Sequence, residues 1–191
     1  ALKAGSTSAE AELATALSTA EARDGDLFGV VALEAERAMA TAKAIDAKPV
    51  QERGALGGAP YARKDLFFRK GFGAECGASL FAGQVAEETA TILERLDGAD
   101  GVDIGRLAMA ELAMSPTGFN AHTKHPCNPL STDHVTGGSS SGSVCAVAGG
   151  FVRMALGTVT CGSIRHPAAM SGITGLKPTS NRISRAGVWP L

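Results

Sequence analysis

A layered α/β fold is what this sequence predicts, and three observations carry the prediction. Short apolar runs alternate with amphipathic or alanine-rich stretches at the lengths of strands and helices. With 45% hydrophobic and 19% charged residues, the composition is that of a soluble globular protein rather than a disordered one, and 191 residues suffice for a sizeable core. Of the 24 glycines, 14 lie in the second half, where backbone geometry has to be tightest.

Taken in order, residues 8–22 (SAEAELATALSTAEA) predict an amphipathic helix with Leu13, Ala16 and Leu17 on one face. Residues 28–33 are a short strand, and the alanine-rich residues 34–47 a helix that ends ahead of Pro49. A Gly/Pro-rich turn then leads into the apolar stretch 61–68, interrupted by Arg63, Lys64 and Asp65. Charges inside such a run are costly unless they are paired or used. Two readings stay open there: a strand end whose Lys64 and Asp65 reach solvent, or a buried lysine serving as a base.

Residues 87–96 predict a helix, 101–107 a strand and 108–113 a short helix. Residues 115–134 are loop-like, rich in Pro, Asn, Thr and Ser. Their histidines, His122, His125 and His134, lack the spacing of a metal site, so neither a metal nor a cofactor is expected. Residues 140–149 predict a helix, 153–158 a strand, 166–171 a helix with Pro167 in its first turn, and 173–178 a further strand. The chain then stops at Leu191 directly after an apolar turn, which reads as an interruption rather than a natural terminus.

A net charge of −1 without a basic run gives no global pull toward nucleic acid or anionic membrane. Neither a signal peptide nor a run apolar enough to span a bilayer is present. The four cysteines, Cys76, Cys127, Cys145 and Cys161, are far apart and contain no C-x-x-C pair, so the expectation is a reducing, cytoplasmic location without disulfides.

Residues 136–165 carry the chemistry. Two small-residue loops, GGSSSGS (137–143) and TCGSIR (160–165), bracket an apolar segment. The first lacks the lysine of a P-loop, which argues against nucleotide binding. A serine in a tight turn beside free N–H groups suits nucleophilic attack with oxyanion stabilisation. Its base is open at this level: none of the four histidines is singled out by spacing, and Lys64 is a Ser-Lys alternative if burial lowers its pKa.

The run GGSSSGSVCAVAGG…ALGTVTCGSIRHPAAMSGITGLKPT resembles the signature of the amidase signature family of Ser-Ser-Lys amidohydrolases. GGAPYARKDLFF resembles the family's upstream lysine motif, and LAMAELAMSPTGFNAH…NP its intervening loop, so that the resemblance covers about residues 55–191. It implies an α/β/α layered fold around a mixed, mostly parallel twisted sheet. Residues 1–191 would then be the N-terminal part of one such domain, with a helical segment over about 1–50 and a catalytic core over about 55–191.

The resemblance also implies roles. Ser163 is the nucleophile, Ser139 the bridging serine after a cis peptide bond, and Lys64 the base that must be neutral to act. The backbone N–H groups of Thr160, Cys161, Gly162 and Ser163 form the oxyanion hole, with Ser140 and Arg165 supporting the serine loop. The implied activity is hydrolysis of a small-molecule amide through an acyl-enzyme, and a homodimer is allowed. Two alternatives remain: the glutaminase A-type subunit of a tRNA-dependent amidotransferase, and a silent homologue kept for binding. The last is motivated by departures from the family's G-T-D-T-G-G-S, since Val159 replaces its aspartate and Cys161 its first glycine. If that glycine uses positive φ, Cys161 is strained and crowds the oxyanion hole.

Overall fold

The computed structural model describes residues 1–191. Helix α1 (Ala9–Leu27) is capped twice: Ser8 Oγ accepts the Ala11 amide, and the Asp46 carboxylate accepts the amides of Ala9 and Glu10 at 2.9 and 3.0 Å. The helix outruns its expected end at residue 22 because Leu27 is buried and the Arg23 guanidinium donates to the Gly149 carbonyl. Phe28 then turns left-handed as the C-cap, so β1 (Val30–Leu33) starts two residues later than predicted. Helix α2 (Ala35–Asp46) follows, then β2 (Pro60–Lys64), α3 (Thr91–Gly98) and β3 (Val102–Leu107). The second half adds β4 (Cys127–Asn128), β5 (Ser131–Val135), α4 (Ser141–Ala148), β6 (Met154–Leu156) and α5 (Arg165–Met170).

The main sheet has the order β1-β3-β2-β6, with β2 parallel to both neighbours and β1 antiparallel to β3. It is the mixed, mostly parallel sheet expected. One face packs Ala62, Val102 and Ile104 against Leu13, Ala42 and Ala146 of α1, α2 and α4. The other packs Tyr61 and Leu66 against Leu93 of α3. Two glycines make the close approaches possible. A Cβ on Gly105, at φ 144, would lie 2.1 Å from the Ala32 carbonyl oxygen, just past the bulge in β1 between Val30 and Ala32. A Cβ on Gly142 would lie 2.4 Å from both Ala108 N and Gly29 O, so the start of α4 rests backbone to backbone on the end of β3.

Arg63 of β2 and the charges behind it are paired, not solvated. The buried Arg63 guanidinium meets Glu34 and, at 2.5 Å, Asp103. Asp103 also accepts from Arg69 at 2.9 Å, and Arg69 continues to Asp97 and to the Tyr61 hydroxyl. Arg37 closes the network on Glu34 at 2.8 Å. Three arginines thus balance three carboxylates behind the strand that ends in Lys64.

Several predicted elements change. Residues 87–90 are a bend and an irregular segment leading into α3 rather than helical, because Ala90 N donates to the Phe68 carbonyl and Thr91 N to that of Ala186. The expected helix over 108–113 shrinks to a 3₁₀ turn over Glu111–Ala113, with Leu112 and Ala113 at φ 47 and 61. The loop 115–134 contains the antiparallel β4–β5 hairpin. Strand β6 is shorter than 153–158, since Thr158 is drawn out of it toward Lys64. The strand expected over 173–178 is absent: Ile173 donates its amide to the Ala168 carbonyl at the end of α5, and Leu176 is exposed. No helix is long and apolar enough to cross a membrane.

Candidate active site

Lys64 ends β2, where its backbone lies opposite Leu107 of β3. Alternation along the strand puts Ala62 and Lys64 toward α4, and Tyr61 and Arg63 toward the ion network. The side chain is fully buried, which decides against the solvent-reaching strand end. Its Nζ lies 2.8 Å from Ser139 Oγ, 3.1 Å from Ser140 Oγ and 3.1 Å from Thr158 Oγ1. No carboxylate is among these partners. Burial therefore pulls the amine down from 10.5 to about 7, opposed only in small part by Cys76.

Proton placement follows from the partners. Ser140 Oγ donates to the Thr158 carbonyl at 3.3 Å, so it accepts from Lys64. A neutral amine has two N–H bonds and one lone pair. With Ser140 taking one N–H bond, the lone pair is available to the hydroxyl of Ser139, the nearest of the three at 2.8 Å, or to that of Thr158. No sequence pattern singles out Thr158. Its one signal is its place beside Val159, where the chain departs from the family signature, and only the bend after β6 turns its hydroxyl to the lysine.

The Gly138–Ser139 peptide is cis, as the resemblance implies. The second loop approaches the first through its backbone: Ser140 N donates to the Ser163 carbonyl at 3.3 Å. Ser163 is half-buried, and its hydroxyl is not hydrogen-bonded to Ser139. The amides of Thr160, Cys161, Gly162 and Ser163 donate to no protein acceptor, leaving them free for a ligand. Arg165 donates to the Cys161 carbonyl at 2.6 Å and so ties this loop from outside. Cys161 is exposed and its φ is not positive, so the expected strain does not arise. His122, His125 and His134 lie apart from Lys64, His122 meeting Glu111 at 3.2 Å and His134 meeting Ser131 at 2.9 Å.

A cleft of about 640 Å³ opens beside Thr158, Val159 and Thr160, with Leu66 and Trp189 among its apolar walls. A second cleft of about 680 Å³, between the N-terminal turn and Phe151, touches none of the residues around Lys64.

Comparison with known proteins decides the family. The Amidase family model matches residues 12–191. The chain belongs to the amidase signature family. The A subunit of glutamyl-tRNA(Gln) amidotransferase from Chromohalobacter salexigens is 43% identical over 188 residues, 98% of this chain and 39% of that protein. Its counterpart from Anaeromyxobacter dehalogenans is 45% identical over 175 residues, 90% of this chain and 35% of that protein. Among solved structures, one described as a vestigial protein complex that reveals the origins of an s-triazine catabolic enzyme superposes with a TM-score of 0.95 at 39% identity, covering 99% of this chain and 42% of its own. The peptide amidase of Stenotrophomonas maltophilia superposes with a TM-score of 0.91 at 32% identity, covering 98% and 40%. This amidase-family chain thus spans about two fifths of the length of the relatives it matches.

Proposed function

We propose that this chain carries the acyl-transfer machinery of an amidase, hydrolysing a carboxamide C–N bond to a carboxylate and ammonia or an amine. One observation carries the reading: a buried, carboxylate-free lysine with a pKa near neutrality, 2.8 Å from Ser139. In the proposed reaction Ser163 Oγ attacks the amide carbon while its proton passes to Ser139 Oγ, and the proton of Ser139 passes to Lys64. The amides of Thr160 to Ser163 receive the developing oxyanion. The proton then returns from Lys64 through Ser139 to the leaving nitrogen, the C–N bond breaks, and water resolves the ester by the same route. Closure of Ser163 onto Ser139 accompanies substrate binding.

The test is covalent labelling with a fluorophosphonate followed by peptide mass spectrometry, with Ser163 as the expected site. A folded, unlabelled protein sinks the reading and leaves the silent homologue, while a mark on Cys161 moves the nucleophile. A second reading, the glutaminase A-type subunit of a tRNA-dependent amidotransferase, has its own support, because the curated relatives at 43–45% identity are named as A subunits of glutamyl-tRNA(Gln) amidotransferase. Ammonia release from glutamine in preference to small or aryl carboxamides favours that role, and the reverse preference favours a stand-alone amidase.

The Lys64 titration has two consequences of defined sign. Only the neutral amine accepts a proton, so labelling rises as pH climbs through about 7 and levels off above it. Because the folded pKa lies below the unfolded value of 10.5, the unfolded chain binds the extra proton between these values. This group's contribution to stability therefore rises with pH across that window, by about 1.4 kcal/mol per pH unit, and is flat below it. A labelling profile that falls as pH rises from 6 to 8 contradicts the assignment of Lys64 as base.

A further inference from the structure

We propose that Asn120 is a positioning residue for the nucleophile loop: its side-chain amide heads a chain of hydrogen bonds that passes through two peptide groups and ends on the carbonyl of Ser163. The proposal rests on the reading of Ser163 as nucleophile.

Asn120 is 3% exposed and uses all of its hydrogen-bonding capacity. Nδ2 donates to the Gly77 carbonyl at 2.7 Å and to the Met109 carbonyl at 3.1 Å. Oδ1 accepts the amides of His122 and Thr123 at 2.9 and 3.3 Å. Only this orientation of the amide places donors on carbonyls and the acceptor on N–H groups.

The Met109 carbonyl and the Ala110 N–H are opposite ends of one rigid, planar peptide group. Ala110 N donates to the Ser139 carbonyl at 3.1 Å. That carbonyl shares its own plane with Ser140 N–H, which donates to the Ser163 carbonyl at 3.3 Å. The chain therefore runs from Asn120 through the 109–110 plane and the 139–140 plane to residue 163. The serines at both ends of the second plane are the ones whose hydroxyls hold Lys64. A rotation of the first plane tilts the second, and with it the relation of Ser139 to Ser163. Each bond also polarises the next, since the donors and acceptors are aligned head to tail through amides.

The backbone around Asn120 needs such a tie. Cys76, Leu112 and Ala113 have φ of 54, 47 and 61, a region that non-glycine residues rarely occupy. Leu112 N donates to the Cys76 carbonyl at 3.0 Å, so the two left-handed segments meet here. Asn120 bonds to Gly77 beside one of them and to Met109 just ahead of the other, and it is the only side chain that donates to both carbonyls.

Asn120→Asp keeps the bonds from His122 and Thr123 but sets an oxygen against the Gly77 and Met109 carbonyls. In the full-length protein, fluorophosphonate inactivation is expected to show kinact lowered about 10- to 100-fold with KI unchanged, the signature of misplacement rather than lost binding. Amide hydrogen exchange at Ala110 and Ser140 speeds up. An unchanged kinact, a change confined to KI, or a fall that only tracks the unfolded fraction overturns the proposal. If Asn120→Asp does not fold, Gly77→Ala presses on the same junction, since its Cβ would lie 2.9 Å from both Asn120 Nδ2 and Met109 O. The same fall in kinact is expected, and loss of the fold in both variants makes Asn120 a residue of global stability and overturns the proposal. Absence of wild-type labelling at Ser163 fails the amidase reading instead, and exchange at Ser140 then decides the structural half alone.

Discussion

Replacing Lys64 by methionine is expected to lower fluorophosphonate labelling of Ser163 by about 10³-fold while leaving the protein folded. Methionine keeps most of the buried volume but offers no lone pair to the Ser139 hydroxyl, so Ser163 has no route for its proton. Stability is expected to move the other way. Burial has lowered the lysine's pKa, so the wild-type side chain works against folding at neutral pH. Losing its three hydroxyl contacts offsets part of that relief. A melting temperature equal to or above wild type, combined with lost labelling, separates chemistry from packing. Wild-type labelling in Lys64→Met removes the lysine from the mechanism.

Arg63→Met, one residue earlier on the same strand, is expected to do the opposite: destabilise by about 3–5 kcal/mol in urea denaturation at neutral pH. The guanidinium is fully buried and bridges Glu34 and Asp103, and Asp103 is itself buried. Removing it leaves those carboxylates to Arg37 and Arg69. Burial already raises the Asp103 pKa, with Arg63 the largest influence opposing the rise. In the variant that carboxyl titrates higher still, so the excess loss is greatest at high pH and shrinks as pH falls through the raised pKa. A loss under about 1 kcal/mol puts the network in the class of surface ion pairs. Adjacent charged residues on one strand therefore separate cleanly, one holding the sheet together and one held by it.

The short apolar run at 101–107 placed β3 to within a residue, and the alanine-rich stretch ahead of Pro49 placed α2 to within a residue at each end. Misses came where local propensity was outvoted by distant partners. Residues 87–90 look helical but are held out of the helix by the bond from Ala90 to Phe68, and residues 108–113 are pinned by Cys76 and Asn120 into left-handed turns. At the candidate site, the glycine-serine loops and the lysine in an apolar run are visible as residue types, and the family resemblance assigns them roles. Thr158 and Asn120 are not visible, because each acts through a hydrogen bond to a residue at least eleven positions away.

By itself, the sequence determined the fold class, since periodicity is a local property of a chain, and its resemblance to the amidase signature family named the three side chains on which the proposed chemistry depends. Only the tertiary structure decided that Lys64 is buried without a carboxylate and that Arg63 is paired behind it. It alone showed that the strain expected at Cys161 is absent and that Asn120 connects to Ser163. Desolvation and hydrogen-bond geometry arise from segments distant in sequence and brought together by the fold, as Lys64 and Ser139 are across 75 residues, and no local pattern encodes them.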